Sequence, residues 1–117
     1  MTRHDDTTGL RHMLDHALEA VDMARGQEPE ELKKNRMLQL ALVHLVEIIG
    51  EAAARVSPEG QNQNPSIPWR QAKGMRNRLI HGYDTIDLDI LWDTIQEDLP
   101  PLIKQLRQAL EETQCDH

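Results

Sequence analysis

Met37-Leu38-Gln39-Leu40-Ala41-Leu42-Val43-His44-Leu45-Val46-Glu47-Ile48-Ile49 is apolar on almost every side when wound as an α-helix. A helix of that composition needs neighbours around most of its circumference, so it predicts the central helix of a bundle. The pattern runs on to about Val56. One polar stripe interrupts it: His44, Glu47, Glu51 and Arg55, at spacings of three, four and four. Such a stripe reads as a contact to a site or a partner subunit, or as a Glu51–Arg55 surface pair beside a satisfied histidine. Gly50, Ala52, Ala53 and Ala54 leave room for another helix to approach closely.

On the N-terminal side, Leu10, Met13, Leu14, Ala17, Leu18, Val21 and Ala24 recur at helical spacing and predict a helix over Leu10–Arg25. Thr7 or Thr8 is the expected cap and Gly26 the stop. His12 and His16 stand four apart, a metal-ligand spacing, but on the face opposite the apolar stripe and with no third ligand evident. They read as a solvated face. Gln27 to Asn35 is polar, and Pro29 is suited to start a helical turn.

On the C-terminal side, Ser57–Pro68 is a loop by composition. Ser66 and Pro68 launch a further helix whose apolar face is Trp69, Ala72, Met75, Leu79 and Ile80, with Gly82 marking its end. Asp87 caps the last helical region, which carries Leu88, Trp92, Ile95, Leu99, Leu102, Leu106 and Leu110 in one continuous phase. Pro100 and Pro101 normally end a helix, so a kink or two coaxial segments is expected there. Gln114–His117 is expected to fray. No strand-like alternation is present, and the expected architecture is an all-α bundle of four to five helices in a single domain over residues 1–117.

The chain has 117 residues, 38% of them hydrophobic and 28% charged, which fits one globular domain with a true core. No apolar run looks long enough to span a bilayer, and no signal peptide is read at the N-terminus. The single cysteine, Cys115, has no internal partner for a disulfide. A cytoplasmic chain is expected. The net charge of -7 argues against a general nucleic-acid coat. Yet Gly60–Tyr83 holds four Lys/Arg and no Asp/Glu, whereas Asp84–Leu99 holds six Asp/Glu and no Lys/Arg. A basic patch in an acidic protein suits a confined anionic site.

That patch centres on Gly74-Met75-Arg76-Asn77-Arg78-Leu79-Ile80-His81-Gly82-Tyr83. On a regular helix Lys73, Asn77 and His81 form one polar stripe, and Asn77 is placed to hold the His81 imidazole. Arg76 falls in the apolar sector, where a guanidinium needs an anion: a phosphate, Glu47 or Glu51. One helix does not bring Arg76 and His81 together, so the site needs the helix to end near Gly82, another helix, or a second subunit. These residues suit metal-free RNA cleavage. A histidine moves the protons of the 2′-hydroxyl and the leaving 5′-oxygen, and an arginine stabilises the charge on phosphorus. The products would be a 2′,3′-cyclic phosphate and a 5′-hydroxyl. Two other readings stand beside this one. In one, a non-catalytic accessory partner of a nucleotidyltransferase binds nucleotide or phosphate through Arg76 and Arg78. In the other, Arg76 merely pairs with Glu47 or Glu51 in an oligomeric helical scaffold.

Arg76, four residues, His81, one residue, Tyr83 resembles the R-x4-H-x-Y motif of HEPN-domain toxins of the HepT type. Ile49-Gly50-Glu51-Ala52-Ala53, Ile67-Pro68-Trp69, Gly74-Met75-Arg76-Asn77, Leu91-Trp92 and Leu99-Pro100 extend the likeness. The resemblance implies a four- to five-helix HEPN-type bundle, homodimeric, with the two motif helices lining a shared cleft. It further implies a metal-independent endoribonuclease without cofactor, the toxin of a type VII-like HepT/MntA toxin–antitoxin system. Carried over by position, Arg76 and His81 are catalytic. Tyr83 is a site residue and the target of AMPylation by an MntA-type minimal nucleotidyltransferase antitoxin, the partner that alone uses ATP. Lys73, Asn77 and Arg78 would contact phosphate or support the site. The acidic run Asp84–Asp98 reads as a solvated helix face or as a docking surface for that partner.

Overall fold

The computed structural model describes the backbone of residues 2–83 and 85–115 and the side chains of 5–83 and 85–111. Its central element is the apolar helix. Labelled in chain order, α1 (Thr2–Ala24) and α2 (Pro29–Lys34) precede α3 (Arg36–Arg55). Then follow α4 (Pro58–Gln63), α5 (Trp69–Leu79), β1 (Ile80–His81), β2 (Thr85–Ile86), α6 (Leu88–Asp93) and α7 (Leu99–Cys115). α3 packs against α1 on one side and α5 on the other, and α7 closes on α1. Met13, Leu42, Ile49, Leu79, Leu99 and Leu106 are among the fully buried side chains that fill the space between them. The protein is an all-α bundle in which the long helices do the packing and α2 and α4 are short connectors of six residues each.

Local chemistry accounts for most of the boundaries. The Asn35 side chain accepts from the Leu38 amide at 3.0 Å and caps α3. Pro29 opens α2 as expected, inside a capping box formed by Glu28 and Glu31. Gln39 is buried on α3 and donates to the Leu32 carbonyl at 2.9 Å, which ties the end of α2 to the central helix. The α3–α5 crossing rests on Gly50: a Cβ there would lie 3.1 Å from the Ala72 carbonyl oxygen and 3.4 Å from that of Lys73. The small residues of α3 therefore do admit a neighbouring backbone.

Four expectations are corrected. α1 begins at Thr2, so Thr7 and Thr8 lie inside it. Its early turns are held by Asp6, which accepts from the Ser57 amide at 2.8 Å and hydroxyl at 2.7 Å. The Ser57–Pro68 loop contains α4, which Ser57 caps and Pro58 starts. A two-residue antiparallel pair, Ile80 with Ile86 and His81 with Thr85, stands where none was expected. Finally, α3 is by length and composition apolar enough to cross a membrane. In this fold it is a bundle helix, with Leu42, Val46, Ile49 and Ala53 packed in the core.

The expected break at Pro100-Pro101 is resolved by a π-helical turn over Thr94–Asp98, so α6, this turn and α7 continue one another. Two adjacent prolines supply no amide for two preceding carbonyls. The wider turn accommodates this, with the Leu99 amide reaching back to the Thr94 carbonyl. Gln114 and Cys115 remain helical, while Asp116 and His117 lie outside the described residues.

Candidate active site

α5 ends at Leu79, three residues before Gly82. Ile80 leaves helical geometry, and Gly82 turns the chain at φ +75°. The Leu79 carbonyl, deprived of a helical donor, accepts instead from the Asp87 amide at 2.7 Å. His81 consequently sits on β1 rather than on the polar stripe of α5, and the expected contact from Asn77 is not its anchor. Its anchor is Asp87. The carboxylate Oδ2 lies 3.2 Å from His81 Nε2, while Oδ1 accepts from the Ile90 amide at 3.0 Å and caps α6. A carboxylate can only accept, so Nε2 carries the proton and Nδ1 is left as the basic nitrogen of the neutral ring. The Ile90 amide foremost, and then the His81 imidazole, hold the Asp87 carboxyl below its ordinary value of 3.8.

Arg76 remains on α5, in its last turn, and its side chain is 45% exposed rather than enclosed in the apolar sector. It does find the anion expected of the central helix. Glu47 Oε2 lies 3.5 Å from Arg76 Nε, and His44 Nδ1 stands 3.7 Å from Glu47 Oε1. Contact through Nε engages one edge of the guanidinium, and its two terminal amino groups are donors of the kind that suit a phosphate. Of the α3 stripe, Glu47 is thus the residue that meets α5, and Glu51 and Arg55 are exposed. Among the described residues, Arg76 and His81 share no hydrogen-bond or ion-pair partner.

The remaining motif residues spread around this centre. Arg78 pairs with Asp98 at 3.5 Å, which draws one member of the acidic run into the body of the protein. Lys73 donates to Gln61 at 3.1 Å, and Asn77 is exposed. Tyr83 projects fully into solvent from the hairpin turn. His16 donates through Nδ1 to the His12 carbonyl at 2.7 Å, and no cluster of three His, Cys, Asp or Glu with metal-binding geometry occurs among the described residues. An open cleft of about 320 Å³ between α1 and α3, lined by Asp5, Thr8, Gly9, His12, Ala52 and Arg55, contains none of the motif residues.

From the sequence, Asp87 reads only as a helix cap. Its second role is hidden because it depends on the hairpin of residues 80–86, which the composition does not announce. The one available signal was the Gly82 turn, which can fold a following acidic residue back onto His81.

The ribonuclease HepT-like family model matches residues 9–109 of the chain. A protein of Methanocaldococcus jannaschii named "Putative RNase" is 31% identical over 106 residues, covering 91% of this chain and 97% of its own. Another of that name, from Caldanaerobacter subterraneus subsp. tengcongensis, is 33% identical over 102 residues, covering 87% and 91%. The "Probable ribonuclease HepT" of Thermococcus cleftensis is 38% identical over 73 residues, covering 62% and 66%. No solved structure matches significantly. With a family match over nearly the whole bundle, the chain belongs to the ribonuclease HepT-like family and is an endoribonuclease of the HepT type.

Proposed function

We propose that the protein is the toxin of a toxin–antitoxin pair, a homodimeric and metal-independent ribonuclease acting in the cytoplasm with Arg76 and His81 as its catalytic residues. The observation that carries this reading is the division of labour in the motif. Arg76 brings a guanidinium and His81 an imidazole to this end of α5, and among the described residues each is paired with a carboxylate, Glu47 and Asp87 respectively. In the reaction His81 Nδ1 takes the proton of a ribose 2′-hydroxyl, whose oxygen attacks the adjacent phosphorus. Arg76 stabilises the charge that develops on the phosphoryl oxygens. The bond to the 5′-oxygen breaks, and the proton passes to that oxygen, giving a 2′,3′-cyclic phosphate and a 5′-hydroxyl.

The homodimer is supported by the outer face of α3. Met37 is 82% and Leu40 49% exposed, on the same face as His44, Glu47 and Glu51. A helix this apolar with one face left uncovered has a surface that a second copy can bury. Arg76 borders that face through Glu47, so pairing two copies there draws both arginines into one interface cleft. Silencing by an adenylyl-transferring antitoxin of the MntA type is supported by Tyr83, whose phenol is fully accessible on a hairpin tip beside His81. AMP on that oxygen adds a negative phosphodiester at the mouth of a basic site and competes with RNA for Arg76.

The test is cleavage of total RNA by purified protein in EDTA, read as new 5′-hydroxyl ends. Ends that form without divalent metal support the proposal, and strict magnesium dependence would overturn its mechanism. Co-expression with the antitoxin should add AMP mass to Tyr83 and nothing to a Tyr83→Phe variant. An unmodified, fully active Tyr83 after co-expression would remove the silencing step.

A further inference from the structure

We propose that Asp87 is a positioning residue for His81, fixing which ring nitrogen faces the RNA. This rests on the proposed role of His81 as the proton-transfer group. The observation behind it is that Asp87 is itself fastened at three points. Its amide donates to the Leu79 carbonyl, Oδ1 accepts from the Ile90 amide, and Oδ2 accepts from His81 Nε2. The first contact joins it to the end of α5, the second to the start of α6, and the third to β1. His81 is therefore oriented by a group that cannot rotate without uncapping a helix. The imidazole is 61% exposed and the carboxylate 31%, so water competes for the ring and the contact is what selects one tautomer.

The single change Asp87→Asn separates this role from helix capping. Asparagine caps as well as aspartate, using its one carbonyl oxygen on the Ile90 amide. Its NH2 group then faces Nε2 and can only donate, so Nε2 must accept and the proton moves to Nδ1. An exchange of this kind in an Asp–His pair leaves geometry in place and presents the wrong nitrogen to the substrate. Asp87→Ser keeps the cap with a hydroxyl too short to reach the ring.

The experiment records ¹⁵N spectra of the His81 ring in the full chain at neutral pH together with steady-state cleavage of a short RNA. Wild type should carry its proton on Nε2, Asp87→Asn on Nδ1, and Asp87→Ser a mixture. The kcat of Asp87→Asn should fall about 10- to 100-fold with KM nearly unchanged, less than for loss of the base itself, and Asp87→Ser should fall in between. An Asp87→Asn protein that keeps the Nε2 tautomer, or the wild-type kcat, overturns the proposal. The spectra need no RNA. A wild type without nuclease activity would therefore sink the proposed function, whereas an active wild type with an equally active Asp87→Asn would sink only the role of Asp87.

Discussion

Replacing Gly50 with alanine sets two effects of known sign against each other. In a helix interior the exchange favours folding by about 1 kcal/mol, because glycine loses more backbone freedom. Against this, the new methyl would stand 3.1 Å from one carbonyl oxygen of α5 and 3.4 Å from the next. Both belong to helix backbone, at Ala72 and Lys73, and Ala72 is fully buried, so neither can swing aside as a flexible side chain would. The helices must separate by a few tenths of an ångström, an overpacking cost of about 1–3 kcal/mol. The cost outweighs the gain, and Gly50→Ala should be less stable by about 1 kcal/mol, near 4 °C in Tm for a domain of this size. The displaced segment of α5 lies one turn before Arg76, so the contact with Glu47 should loosen and kcat should drop with it. Thermal unfolding by circular dichroism is the assay. A Gly50→Ala protein more stable than wild type would show that the α3–α5 crossing does not need the missing side chain.

Glu47→Gln keeps an oxygen for Arg76 Nε and removes a negative charge from the RNA face, so KM should fall and kcat should hold. Glu47→Ala frees the guanidinium and should lower kcat about 10-fold, with stability changed by under ~1 kcal/mol because both partners are well exposed. An unchanged kcat in Glu47→Ala would mean that Arg76 needs no carboxylate to orient it. Acid sensitivity provides another check. The Asp87 carboxyl is held below its ordinary 3.8, so its stabilising contacts are complete above that value and are lost as pH falls below it. The Tm of wild type relative to that of Asp87→Asn should accordingly fall below about pH 4, and a constant difference from pH 7 to 3 would contradict the link.

The bundle was legible because Met37–Ile49 is too apolar for any position but the centre, and because Asp87 and the Pro29 turn are local signals that tertiary structure left alone. Gly50 and the alanines around it also gave a readable helix crossing. The site was legible in its members but not in its geometry. Helical periodicity continues α5 through His81, two residues past its true end at Leu79, which places His81 beside Asn77 and hides Asp87. That end is set by a hydrogen bond from Asp87 back to Leu79, a non-local closure that spacing cannot express. The polar stripe of α3 showed that something would meet Arg76. Choosing Glu47 over Glu51 required the actual crossing of the two helices. The prolines signalled a break, and their solution, a π turn placed before them, follows from which carbonyls lose their donors.

The central claim is that Arg76 and His81 act as one unit on a ribose phosphate. It is tested most directly by the cleavage rates of folded His81→Ala, Arg76→Ala and the double variant on one labelled RNA in EDTA. Each single change should cost about 10²–10⁴-fold in kcat, and the double little more than the worse single, as for groups that serve the same step. Either single variant cutting at the wild-type rate, with its circular dichroism spectrum unchanged, would contradict it.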